Sequence, residues 1–111
     1  MNLCRPTVLF DQENFCIAQC QHCQRVGLTF QNLLLGFTHD EFMNFSRSLT
    51  SINFGQSSVL MTDGRLHLIM NTGHPDIQLS LSRADFDLFR IGSLQAVRRL
   101  SLYQSLKTQA N

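Results

Sequence analysis

The sequence predicts an α+β domain: an antiparallel sheet of about six to seven strands with two helices on one face, built as tandem ββα-like halves. Three observations carry this expectation. Apolar residues alternate with period two through several short runs. A Thr or Ser followed three residues later by an acid, then Phe-x-x-Phe, occurs twice. And 111 residues, 43% of them hydrophobic and nine of them Phe, suffice for one packed core without cross-links.

The elements follow in chain order. Residues 7–10 and 15–18 read as two strands around the polar stretch Asp11-Gln12-Glu13-Asn14, with Phe10 expected opposite Phe15. Val26, Leu28 and Phe30 then alternate with Gly27 and Thr29, and Gln31-Asn32 is a tight connection into the run Leu33-Leu34-Leu35-Gly36-Phe37. Thr38 and Glu41 have the spacing of a capping box. They open a helix expected over 39–52, with Phe42, Phe45, Leu49 and Ile52 inward and Gly55 as its C-cap.

The second half repeats the order. A strand at 58–61 precedes the Asp63-Gly64 turn; Leu66, Leu68 and Met70 form the next strand; residues 71–76 connect to Ile77, Leu79 and Leu81. Ser82 and Asp85 cap a helix from Arg83 to about Lys107, with Phe86, Phe89, Val97 and Leu100 buried and a weak point at Gly92-Ser93. The chain is thus one domain with pseudo-repeat halves of about 14–52 and 58–105.

Charge excludes some functions. The net charge of +1 gives no general pull toward nucleic acid or an anionic membrane. The distribution is uneven, however: Arg90, Arg98, Arg99 and Lys107 follow Leu88 with no acid, whereas residues 1–87 hold five bases and eight acids. No apolar run approaches the ~18–20 residues of a membrane span, and the start lacks a basic segment followed by an apolar one. The chain reads as cytoplasmic.

Catalytic signatures are missing from the sequence. The six glycines are dispersed, so no phosphate-cradling loop is expected, and neither His-Glu-x-x-His nor Gly-x-Ser-x-Gly occurs. The reading points away from an enzyme. Cys23 with His22 or His67 is the pair that folding would have to assemble for nucleophilic chemistry.

Cysteine chemistry is the open question. Cys20-x-x-Cys23 has the spacing of a zinc knuckle, and Cys4 is the expected third ligand because the first hairpin returns it toward that turn. Cys16 lies roughly 13 Å along an extended strand from Cys20, at about 3.3 Å per residue, and is read as a small core residue facing Leu9. Two outcomes stay open: zinc on Cys4, Cys20 and Cys23, or reduced thiols without metal.

Cys4, Cys20, Cys23, Leu28-Thr29-Phe30, Asn32 and Thr38-His39-Asp40-Glu41-Phe42 together resemble a small bacterial family of uncharacterised function, chiefly from Bacteroidetes. The resemblance implies a bacterial cytosolic domain and no mechanism. The functional expectation is therefore a non-enzymatic binding or interaction domain that self-associates as a homodimer, with a protein partner rather than a membrane or nucleic acid. The alternative is a zinc-stabilised regulator that contacts an acidic or phosphate-bearing partner through its basic C-terminal helix.

Overall fold

The computed structural model describes residues 5–110, with side chains described through residue 106. Four strands, β1 (Pro6–Gln12), β2 (Phe15–Cys20), β3 (Val26–Phe30) and β4 (Leu33–Phe37), form an antiparallel meander in the order β1-β2-β3-β4. Helix α1 (His39–Ser51) and the single-turn α2 (Phe54–Ser57) follow. A second sheet joins β5 (Val59–Leu60), β6 (Leu66–Asn71) and β7 (Gln78–Leu81), and α3 (Arg83–Ala110) completes the chain. The α+β class and the seven antiparallel strands agree with the sequence reading, but the strands divide between two sheets instead of forming one.

Both helix starts form as their residues dictate. The Thr38 hydroxyl accepts the Glu41 N–H at 3.1 Å, and the Glu41 carboxylate accepts the Thr38 N–H at 2.7 Å, a complete capping box. Ser82 accepts the Asp85 N–H at 3.2 Å. Gly55, expected as a C-cap, instead lies inside α2, whose N-cap is Asn53. The Asn53 side chain captures the Gln56 N–H before the chain can end on a left-handed glycine.

The first hairpin departs from its expected register. Gln12 pairs with Phe15 and Phe10 with Ile17, so the turn is the two residues Glu13-Asn14, with Glu13 in the left-handed region at φ 54°. A bulge between Val8 and Phe10 turns consecutive residues inward, and Leu9 and Phe10 are both buried. Arg99 on α3 donates from Nη1 to the Leu9 carbonyl at 2.9 Å, so this basic residue anchors α3 to β1. The shift also moves Cys16 opposite Asp11 on the outer face of β2, half-buried and outside the core.

One core runs through both halves because α3 contacts β1, β2, β6, β7 and α1. Phe89 stacks on Phe15 at 4.4 Å and meets Phe30 edge-on at 4.9 Å; Phe86 packs on Phe54, and Phe37 receives Phe42 and Phe45. Gly92 is the contact point. A β-carbon there would stand 2.5 Å from Phe15 Cε2 and 2.7 Å from Phe10 Cδ2. The expected weak point is thus a notch in an unbroken helix, and Ser93 and Ala96 beside it are fully buried. At about 1.5 Å per residue α3 spans roughly 42 Å, which sets the long axis of the 53 × 31 × 27 Å molecule.

Candidate functional site

Helix α3 is apolar on two sides. Its inner side, Phe86, Phe89, Ser93, Ala96 and Leu100, advances by three or four residues and fills the core. Its outer side, Ile91, Leu94, Arg98, Leu102 and Leu106, advances in the same way and faces solvent. Ile91, Leu102 and Leu106 are 59%, 55% and 53% exposed, too much apolar area on one face to be scattered surface leucines. Exposed Arg90 and Arg98 flank the stripe, and no carboxylate occurs from Leu88 onward.

The cysteine turn is the next feature. Cys20 accepts the Gln24 N–H at its carbonyl and donates its own N–H to Arg25, and the Cys23 N–H lies 3.4 Å from the Cys20 Sγ. Gln24 takes φ 64° to close the turn, and the Gln21 amide reaches back to the Thr7 hydroxyl at 2.6 Å. Of the proposed ligands, Cys20 ends β2 half-exposed, Cys23 is exposed in the turn, and Cys4 lies outside the described residues. Among the described residues no three His, Cys, Asp or Glu side chains gather to hold a metal ion. Burial, and secondarily Asp11, pushes the Cys16 thiol pKa up, which favours the unreactive protonated form.

This turn borders a cavity of about 710 Å³ lined by Thr7, Gln19, Gln21 and Gln24, by His39 of α1, and by Leu100, Tyr103 and Gln104 of α3. Its polar lining is mostly uncharged amide.

A constellation that the sequence reading missed lies on the second sheet. His67 Nε2 is 2.8 Å from Asp63 Oδ2, and His67 Nδ1 is 3.1 Å from Ser80 Oγ. The Arg65 N–H, and then His67, hold the Asp63 carboxyl below its usual range. The ionised carboxylate favours the proton on Nε2, leaving Nδ1 to accept from Ser80. The order Ser-His-Asp is that of a hydrolase triad, but Ser80 and neighbouring Ile69 are exposed, so water reaches the serine. Such a chain draws its catalytic power from a water-excluded site, and this serine faces solvent. It serves to tie the Asp63-Gly64 turn to β7. The sequence signal was the four-residue Asp63–His67 spacing; Ser80 enters only through cross-strand register.

The family of unknown function DUF6686 matches residues 3–99, spanning both sheets and most of α3. The chain belongs to this family. Membership in DUF6686 agrees with the expected family of uncharacterised function and assigns no activity. No curated protein and no solved structure matches the DUF6686 chain. Among its described residues no helix is long and apolar enough to cross a membrane.

Proposed function

We propose that this DUF6686 domain is a protein-interaction module that holds an acidic amphipathic helix against the outer face of α3. The observation that carries the reading is the stripe Ile91, Leu94, Leu102 and Leu106 with Arg90 and Arg98 beside it and no acid on the segment. A partner helix would place its apolar residues in the stripe and its carboxylates over the two guanidiniums, the helix-in-groove mode of recognition. A second copy of α3 fits poorly, since like charges would meet across the interface. A membrane surface is disfavoured by the small number of cations, because anionic lipid contributes only about 1 kcal/mol per basic residue.

The test uses a fluorescently labelled helical peptide of Leu/Glu heptads, titrated with the full chain and followed by anisotropy. Binding is expected to weaken as salt is raised, and a Leu/Lys peptide of equal length should not bind. Leu94→Glu with Leu102→Glu should abolish binding, and Arg98→Glu should weaken it roughly tenfold, about 1.4 kcal/mol. These positions are exposed, so melting temperatures should hold. Equal binding of both peptides, or sedimentation with phosphatidylserine vesicles without binding of the acidic peptide, would overturn the reading.

A further inference from the structure

A second site lies between the two halves, away from the outer face of α3. A cleft of about 690 Å³ opens between the β4–α1 junction and the end of β6, within the range of small-molecule pockets. Its floor is apolar and already in place: Phe37, Phe45 and Met70 are core residues that also line the cleft. Asn44 and Ser48 of α1 supply neutral polar groups along one wall.

Three ionisable side chains converge at the mouth. Arg25 precedes β3, and its Nη2 lies 3.5 Å from where a β-carbon on Gly36 would stand, so the guanidinium lies over the bare strand. Glu41 is held by the α1 cap, with Oε1 taking the Thr38 N–H. His74 stands on the β6–β7 connection, which Gly73 turns at φ 92°. The His74 N–H donates to Thr72 Oγ1, and the Thr72 hydroxyl donates to the Ile77 carbonyl, so the loop is fixed. Among the described residues neither Arg25 nor His74 enters an ion pair. The Glu41 carboxyl nevertheless feels both: the Thr38 N–H does most to hold its pKa down, and Arg25 and His74 add to it.

We propose that this cleft binds a small monocarboxylate with an apolar body, its carboxylate taken by Arg25 and its body seated on Phe37, Phe45 and Met70. A guanidinium matches a carboxylate with two parallel hydrogen bonds. Glu41 beside it opposes a second negative charge, which selects against phosphate dianions. Arg25 and His74 are exposed and the floor is apolar, so the charged end of the ligand stays at the rim.

The experiment is a titration of the ¹⁵N-labelled full chain with 3-phenylpropionate, alongside its neutral amide 3-phenylpropionamide and phenyl phosphate. Phenylpropionate is expected to shift the backbone amides of Ile69, Gly73 and His74 with millimolar affinity. Arg25→Gln should weaken it at least about fivefold, close to 1 kcal/mol, while Arg25→Lys keeps part of the binding. A melt confirms that Arg25→Gln folds. The proposal is overturned if the amide binds as well as the acid or phenyl phosphate binds more tightly. Shifts that avoid the cleft, absence of shifts, or binding unchanged in Arg25→Gln would also overturn it.

Discussion

Thr38 closes the first turn of α1 in both directions, its hydroxyl accepting from Glu41 and its N–H donating to the Glu41 carboxylate. Thr38→Ala should cost about 0.5–2 kcal/mol in urea melts, the usual range for losing an N-cap. The Glu41 charge adds a pH signature. Its folded pKa lies below the ordinary glutamate value, mainly through the Thr38 N–H. The stabilisation is therefore present above about pH 4.5 and is lost as pH falls through the lower folded value. Glu41→Gln should be less stable than the parent at about pH 7, and the two should converge toward about pH 2. Melts that stay equally separated at both pH values would contradict a role for the charge. Both caps and both Phe-x-x-Phe pairs were legible in the sequence, because a cap is decided within four residues. Asp63–His67–Ser80 was not, since Ser80 reaches His67 only through the pairing of β6 with β7.

At the scale of elements, α3 shows where local propensity loses to packing. Gly92-Ser93 reads as a break by composition, yet the helix runs through it, and Phe10 and Phe15 occupy the space a side chain at 92 would need. In an exposed helix Gly→Ala gains about 1 kcal/mol. Here Gly92→Ala should lose about 1–3 kcal/mol through overpacking, and a denaturant melt showing a gain would refute the close approach. Phe89→Ala, which removes the stack on Phe15 and the edge contact with Phe30, should cost about 3–5 kcal/mol. The β1–β2 register escaped the sequence for a related reason. The bulge at Leu9 exposes a carbonyl whose partner, Arg99, lies 90 residues away. Period-two alternation finds strands but carries no information about such a partner. Nor does it say that seven strands will split into sheets of four and three.

For the whole molecule, the inner face of α3 joins the two halves and leaves its outer face exposed, while β5 ends the second sheet. Like charges on α3 oppose a symmetric pairing there, so for the homodimer expected from the sequence we propose the β5 edge as its surface. Val59 and Leu60 are exposed on β5, which ends its sheet, and exposed Leu66 of β6 lies beside Leu60. Light scattering at tens of micromolar should give twice the 12.7 kDa chain mass, and Leu60→Lys should return the monomer. A monomer mass for the parent chain would reject this assignment and leave the α3 reading intact. Of the sites, the basic C-terminal segment was visible as a charge asymmetry. The Arg25, Glu41 and His74 cluster was not, because those residues come from three elements that meet only after the halves dock.

Helix α3 is two-sided, packing inward through Phe89 on Phe15 and presenting a basic-apolar stripe outward. A titration of the ¹⁵N-labelled chain with the acidic Leu/Glu peptide tests it most directly. Backbone shifts are expected along Ile91, Leu94, Arg98 and Leu102, weakening with salt, with Ile69, Gly73 and His74 in the cleft unmoved. Shifts confined to the cleft or the β5 edge, or none at all, would contradict it.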